Sequence, residues 1–238
     1  MSARQVQRST VLGEVYKTLK TGIMTLQLPP GTTMSTQEMA DRLNVSRTPV
    51  REAFLRLQEE GLLDVVPQRN TTVSRISLKR FDEERFIRES LEVAVVEYFM
   101  RLCKPEHLAH LHEMIQQQQV CCDEKRYVDF VDLDDEMHKY IFDVADQRLA
   151  WQTIKNVTSH YRRIRVLTVQ MKDTMARTVE QHELLVKLME EGKVEAVKKE
   201  LLSHVRKIHW EKAALLEQYP DYFDCGQDTD NMFGIASL

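Results

Sequence analysis

Apolar residues in the first quarter of the chain recur three or four positions apart, which is the spacing of amphipathic helices. They predict three helices, the first spanning Val11 to Thr25. The second begins after Ser35, which forms a capping box with the Glu three residues later, and ends at Asn44. The third begins after Ser46 and ends at Gly61. The apolar stripes are Val15, Leu19, Ile23 and Leu26, then Met39 and Leu43, then Val50, Phe54 and Leu57.

The pattern then changes to two short apolar runs. Leu62–Val66 and Thr71–Ser74 predict strands on either side of a turn at Pro67–Asn70. Three helices followed by a two-stranded ribbon predict a winged helix-turn-helix in residues 8–76. The tight connection Leu43–Ser46 would join the two helices of the helix-turn-helix.

From residue 77 onward the pattern is helical throughout. Between Glu106 and Glu191 there is neither Gly nor Pro, although a sheet-rich chain would need such turn residues. We predict helices near 78–103, 105–123, 126–145, 147–171, 174–191 and 193–218. The expected fold is therefore mainly α, with a bundle of six or seven helices in residues 77–218 and a loose tail in residues 219–238.

Composition and charge add a hint of function. Residues 1–75 hold ten Lys and Arg against seven Asp and Glu, whereas the remaining residues hold 23 against 30, so the net charge of −4 conceals a basic head. Such a head favours nucleic-acid binding. No segment approaches the roughly 20 apolar residues of a membrane helix, so we expect a cytoplasmic protein with no membrane partner. Cys121 and Cys122 adjoin in an expected interhelical loop, where inert surface thiols are favoured over a redox role.

The third predicted helix carries candidate DNA contacts. Arg47 and Arg51 are four residues apart on the face opposite the apolar stripe, with Thr48 beside them. Guanidinium forks and a hydroxyl at that place suit the major groove and its flanking phosphates. An ordinary solvated face with surface arginines is the alternative.

The strings LPPGT at residue 28, VSRTPVREA at residue 45 and LQEEGL at residue 57 closely resemble the DNA-binding domain of GntR-family transcription regulators. The resemblance covers about 65 residues and implies operator contacts from the recognition helix and the wing tip: Ser46, Arg47, Thr48 and Arg51, then Gln68, Arg69 and Asn70. It adds a contact at Gln37, where relatives often have Arg or Glu. Asn70 stands where relatives usually have Gly, but Asn tolerates the left-handed conformation of that turn.

Three histidines in the predicted bundle fall on or beside apolar stripes. Asp134 and His138 are four residues apart on one helix, and His182 and His204 lie within the stripes of two others. Each could be a core histidine bonded to a backbone carbonyl, because a buried imidazole needs a partner. Together they suit a divalent metal ion, with zinc first and nickel, iron or manganese as alternatives. We expect His160 and His209 to be peripheral, and His107, His110 and His112 to lie on the surface.

The order Asp134-x-x-x-His138, His182, His204 is similar to the metal-binding signature of the FCD domain, the C-terminal ligand-binding domain of the FadR subfamily of GntR regulators. The resemblance covers roughly residues 80–216. It implies an antiparallel all-helical bundle with an organic acid or sugar acid bound beside the metal. Arg88, Arg162 and Arg165 are candidates for binding that carboxylate, because buried Arg is costly without an anion. Pairing with Glu and Asp on neighbouring helices is the alternative.

These observations predict a transcription regulator, with repression expected, that binds double-stranded operator DNA as a homodimer and responds to a small carboxylate. A metalloenzyme using the Asp and His cluster is the competing class. Against it, no residue is placed as a general base, and four protein ligands exceed the three of catalytic zinc sites. A purely structural helical module does not explain the winged head.

Overall fold

A computed structural model describes residues 3–65 and 70–224 of the 238-residue chain, with side chains from residue 10 onward except those of residues 209 and 210. Packing divides it into two compact units. One holds the chain up to Leu78 together with the segment from Tyr219, and the other is Lys79–Gln218. Among the described helices, none has the length and apolar character needed to cross a bilayer.

The first unit is a winged helix-turn-helix. It contains α1 (Ala3–Met24), β1 (Thr33–Met34), α2 (Thr36–Leu43), α3 (Arg47–Glu59), β2 (Leu63–Val65), β3 (Thr71–Val73) and β4 (Ile76–Ser77). The capping box at Ser35 is present, and Asn44 ends α2 in the left-handed conformation with a φ of 52°. The predicted ribbon is a three-stranded antiparallel sheet in the order β1-β3-β2, with Thr33 opposite Thr72 and Leu63 opposite Val73. The strand β1 is too short for a visible sequence pattern.

The core of this unit lies between α1, α3 and the sheet. Leu19 and Ile23 of α1 pack with Val50, Phe54 and Leu57 of α3, and all five are buried. The chain enters the sheet through a turn at Gly31, whose φ of 84° favours glycine and whose N–H donates to Val73 O at 2.9 Å. These contacts hold α3 by its apolar face, so its polar face is left to solvent.

The second unit consists of helices. They are α4 (Leu78–Leu102), α5 (Pro105–Asp123), α6 (Tyr127–Val144), α7 (Arg148–Val157), α8 (Ser159–Thr168), α9 (Thr174–Glu190), α10 (Val194–Arg206) and α11 (Ile208–Gln218). The helix α5 packs on α6 and α9, α9 packs on α10, and α8 packs on α11. The mainly α fold is therefore confirmed.

Two predicted helices are divided in the structure. The helix expected over 147–171 breaks at Thr158, whose ψ of 45° is not helical, and α8 ends at Thr168. The helix expected over 193–218 becomes α10 and α11, which meet at Lys207. Neither break contains Gly or Pro, so the sequence pattern did not reveal it. The second unit therefore has more helical segments than the six or seven predicted.

The segment after α11 begins with ordered structure. Pro220–Tyr222 forms a single 3₁₀ turn, and β5 (Phe223–Asp224) pairs in parallel with β4, with Phe223 opposite Ile76. Both of these apolar residues are buried. The prediction of a loose tail is therefore wrong for residues 219–224, and residues 225–238 lie outside the described part of the chain.

Candidate functional site

The helix α3 presents a polar face to solvent. Arg47, Thr48 and Arg51 are exposed, while the apolar stripe on the other side is buried. The two arginines are one turn apart, so both guanidinium groups project from the same face. Neither makes an ion pair within the described residues, which leaves their donors available to phosphates or base edges.

The remaining predicted DNA contacts have different surroundings. Ser46 is exposed at the N-cap position of α3, but its side chain makes no capping bond. Gln37 is exposed and donates to the carboxylate one turn further along α2 at 2.7 Å. Asn70 is exposed beside β3, whereas Gln68 and Arg69 lie outside the described residues.

In the second unit, four predicted ligands come together. Asp134 and His138 from α6, His182 from α9 and His204 from α10 are all buried, and each offers a donor atom within 4.8 Å of the others. His204 Nε2 lies 3.3 Å from His138 Nε2 and 3.4 Å from His182 Nε2. Asp134 Oδ1 lies 3.4 Å from His182 Nε2. One face of the cluster is therefore built only from imidazole nitrogen and carboxylate oxygen.

The opposite ring nitrogen of each histidine faces an oxygen acceptor. His138 Nδ1 lies 2.8 Å from Glu92 Oε2. His182 Nδ1 lies 2.6 Å from Gln118 Oε1, and His204 Nδ1 lies 3.3 Å from Gln181 Oε1. For His182 and His204, an acceptor at Nδ1 favours the ring proton on that nitrogen and leaves a lone pair on Nε2. The three Nε2 atoms and the Asp134 carboxylate therefore converge on one buried point, an arrangement that suits a cation.

The electrostatics keep these groups in metal-binding form. Burial lowers the pKa of His182 to about 3, and burial followed by the charge of Lys207 lowers the pKa of His204 well below its ordinary value. Burial alone would raise the pKa of Asp134, but the charge of Arg165 holds it well below its usual range. His182 and His204 are therefore neutral at pH 7 and Asp134 is an anion.

The donor set fits a divalent first-row ion. Zinc–nitrogen bonds of about 2.0–2.1 Å place neighbouring donors about 2.9–3.4 Å apart in octahedral or tetrahedral arrangements. The three closest separations in the cluster, from 3.3 to 3.4 Å, fall in that range. The acceptors at Nδ1 are the supporting partners that metal-bound histidines use.

The three candidate effector arginines meet carboxylates on α6. Asp135 Oδ2 lies 2.9 Å from Arg162 Nη1, and Asp135 Oδ1 lies 3.4 Å from Arg88 Nη1. Arg165 bridges Asp134 and Asp135. Further carboxylate partners are Glu92 for Arg88 and Asp132 for Arg162. Of the two alternatives left open by the sequence, pairing with neighbouring carboxylates is therefore present in the structure.

A small cavity adjoins the cluster, lined in part by Asp134, His204, Thr178 and Lys207. Its volume of about 20 Å³ is close to that of one water position. A sugar acid is larger, so a side chain must move before such a molecule enters. Next to this cavity lies an open groove of about 380 Å³, which shares Lys207 with it.

Sequence reasoning missed several residues of this site. Gln118 and Gln181 were not singled out, because a Gln in the run of four at 116–119 and a Gln beside a charged residue are both typical of a helix surface. Asp135 was also not predicted as a site residue, whereas it contacts Arg88, Arg162 and Arg165. Lys207 was not predicted as a site residue either. Its position at the end of an apolar stripe, three residues after the candidate ligand His204, is the sequence feature that could have indicated it.

Other predicted features lie away from this site. His160 is buried, with Nδ1 3.0 Å from Arg163 Nη2, and burial lowers its pKa to about 3. Cys121 and Cys122 occupy the last turn of α5 instead of a loop, and Cys121 is buried. Burial raises the pKa of both thiols, which disfavours the reactive thiolate. The α5 histidines are exposed or half-buried, and the His209 side chain is outside the described set.

Comparison with known proteins agrees with both units. Residues 12–73 match the bacterial regulatory proteins of the gntR family, and residues 85–207 match the FCD domain. The HTH-type transcriptional repressor RspR of Escherichia coli K12 is 30% identical over 210 residues, covering 88% of this chain and 92% of that protein. An HTH-type transcriptional regulator of Streptomyces ambofaciens is 27% identical over 211 residues, covering 88% of each chain.

The solved structure of E. coli McbR/YncC has the same fold, with a TM-score of 0.70 at 23% identity over 88% of this chain and 98% of that one. The matched families and relatives are transcription regulators and not enzymes, so the competing metalloenzyme interpretation is not supported. With its winged N-terminal unit and helical C-terminal unit, this chain belongs to the GntR family of bacterial transcription regulators and carries an FCD domain.

Proposed function

We propose that this regulator is a repressor that binds operator DNA as a homodimer, and that a small carboxylate bound beside a divalent metal ion changes its operator affinity. One observation carries the regulatory part of the proposal. Three histidines direct their Nε2 atoms, beside the Asp134 carboxylate, at one buried point. A cation there relieves the mutual repulsion of these groups.

Asp134, His138, His182 and His204 would hold the ion. When bound, it supplies positive charge and positions for further oxygen ligands. The protein contributes the orientation of the rings, because the acceptors at Nδ1 fix both the tautomer and the plane of each imidazole. Zinc suits this nitrogen-rich set, and nickel, iron and manganese remain alternatives.

The charge balance around the cluster favours an anionic effector. The carboxylates are Glu92, Asp132, Asp134 and Asp135, and the cations are Arg88, Arg162, Arg165 and Lys207. The charges of these side chains are close to balance, and a divalent ion adds two positive charges to them. Because unpaired charge in a buried site is costly, the loaded site should attract a carboxylate.

The DNA-binding part of the proposal rests on the polar face of α3. Arg47, Thr48 and Arg51 would contact base edges and phosphates, with Ser46, Gln37 and the wing residues Gln68, Arg69 and Asn70 as further contacts. A protein that binds DNA works where the chromosome lies, so we place it in the cytoplasm. Repression is proposed because the relative RspR is named as a repressor.

The helix α4 supports a homodimer. Its solvent-facing side carries several large apolar residues among polar ones, with Phe86 65% exposed, Tyr98 50% and Leu102 51%. Ile87, Leu91 and Ala94 lie on the same side and are exposed or half-buried. Exposed large apolar residues gathered on one helix favour a protein interface, and a two-fold dimer would place two winged units on an inverted repeat.

The proposal is tested by titrating the full-length, zinc-loaded protein onto the DNA upstream of its own gene, with and without acetate, succinate or D-gluconate. We expect protection of an inverted repeat and a change in operator affinity of about 5–150-fold with one of these acids. Chelation should abolish that change, and added zinc should restore it. An equal change in the metal-free protein would contradict the metal-dependent response.

A further inference from the structure

The cation Lys207 is held differently from the arginines around the metal cluster. Its Nζ donates to Thr178 Oγ1 at 2.7 Å and to Gln181 Oε1 at 3.1 Å. Among the described side chains it makes no ion pair, although it is half-buried. An ammonium has three donors, so these two contacts to neutral groups leave one donor free, while Asp134 and Glu211 act on its charge only from beyond ion-pair distance.

The position of Lys207 gives it access to both openings of the site. It lines the small cavity beside His204 and Asp134, and it also lines the open groove formed with Thr174, Arg177, Glu180, Gln181, Leu184 and Glu211. The inner cavity holds about one water, whereas the groove is large enough for a small organic acid. Lys207 therefore stands between the wider opening and the metal cluster.

The arginines are less available to an incoming carboxylate. Arg165 bridges Asp134 and Asp135, and Arg88 and Arg162 each contact two or more carboxylates. Each of these pairs joins two opposite charges in a charge-assisted bond, whereas the two contacts of Lys207 join its charge to neutral acceptors. Releasing Lys207 from a hydroxyl and an amide therefore costs less than releasing any of the arginines from its carboxylates.

We propose that the effector enters through the groove, and that Lys207 binds its carboxylate at the mouth of the metal site while the three arginines stay paired with their carboxylates. This inference rests on the proposed carboxylate response. Gln181 Oε1 faces both Lys207 Nζ and His204 Nδ1. If Lys207 moves toward an effector, Gln181 loses one of its two contacts, and Gln181 is the Nδ1 partner of the proposed metal ligand His204. Binding in the groove is thereby linked to the cluster.

The test compares Lys207→Met, which keeps the length of the side chain and removes its charge, with Lys207→Arg. The matched control is Lys212→Met. Lys212 is a largely buried lysine whose Nζ lies 3.4 Å from Asp82 Oδ2, and it does not line the groove. Full-length protein is loaded with zinc, and calorimetry measures binding of acetate, succinate and D-gluconate. Zinc content per chain is measured in parallel, as a readout independent of the acids.

We expect Lys207→Met to weaken binding of the preferred acid by about 10–100-fold while zinc content stays at the wild-type level. Lys207→Arg should retain most of the affinity, and Lys212→Met should bind like the wild type. Wild-type binding by Lys207→Met would overturn the inference while leaving the carboxylate response intact. The inference would also be overturned if Arg162→Gln weakened binding of the acid more than Lys207→Met does. If the wild type binds none of the acids, the proposed carboxylate response fails and this inference fails with it.

Discussion

The buried amide of Gln118 allows a direct test of how the second unit prepares its histidines. Gln118 lies on α5 with no exposed surface, and its Oε1 accepts from His182 Nδ1 at 2.6 Å. Its amide nitrogen lies 3.7 Å from Met137 Sδ, so the side chain is enclosed by the core. Gln118→Met keeps the length of this side chain and removes the acceptor that fixes the His182 tautomer.

Two effects of this substitution follow from the geometry. A buried Nδ1–H without an acceptor costs about 1–3 kcal/mol in the free energy of unfolding. The imidazole is also free to move its proton to Nε2, which removes one lone pair from the cluster. Loss of a supporting partner of this kind lowers metal affinity by about 10–100-fold.

The assay is competition for zinc between the full-length protein and a chromogenic chelator, with urea unfolding of the metal-free protein as the second measurement. The control is Gln119→Met, because Gln119 is the next residue of the same helix but is exposed and bonds only to Asp123 at 2.7 Å among the described residues. We expect Gln119→Met to match the wild type in both assays. If Gln118→Met bound zinc as tightly as the wild type, the Nδ1 acceptors would not be preparing a metal site.

Two further predictions concern other parts of the chain. Arg51→Ala should weaken operator binding by about 1–3 kcal/mol in a fluorescence anisotropy titration, and its salt dependence should be shallower if the contact is to phosphate. Arg148→Ala, at an exposed arginine of the second unit, should leave binding unchanged, and equal losses in both variants would contradict a specific role for α3. Burial raises the pKa of Glu84 to about 7, so the folded protein holds a proton on this carboxyl that the unfolded chain releases above its ordinary pKa. The stability of the wild type relative to Glu84→Gln should therefore fall by up to about 3 kcal/mol as the pH rises from about 4.5 to 7, and parallel urea-unfolding profiles would refute this.

The elements that the sequence predicts well are those with a local cause. The capping box at Ser35 and the left-handed end at Asn44 depend on neighbouring residues, and both are present. The break at Thr158 has no such local signal, because Thr is compatible with a helix and the turn depends on its surroundings. The pairing of β5 with β4 joins segments separated by about 145 residues, and such short strands have no visible periodicity.

The buried face of α6 shows the same limit at the site. The sequence places Leu133 and Val144 on that face and Asp134 at its edge, whereas both apolar residues are only half-buried and Asp134 is 4% exposed. A prediction from apolar periodicity assigns the buried face to hydrophobic residues. The predicted orientation of a helix is therefore wrong where buried polar groups share that face. Only the structure shows that Asp135 meets arginines from α4 and α8, because those contacts join distant parts of the chain.

The supporting contacts explain why metal and effector would act on the whole second unit. The Nδ1 contact of His138 joins α6 to α4, that of His182 joins α9 to α5, and that of His204 joins α10 to α9. One nitrogen of each ring thus faces the cluster, and the other contacts a side chain from a different helix. A ligand shifts an equilibrium only by binding one arrangement better than another. An effector that reorients one ring must change the packing of the helices that hold it, whereas an anion bound only to exposed side chains would not. The helix α4 takes part in this network through Glu92, and it begins at Leu78 directly after β4. We therefore expect a change at the cluster to act on the helix that continues the chain from the DNA-binding unit.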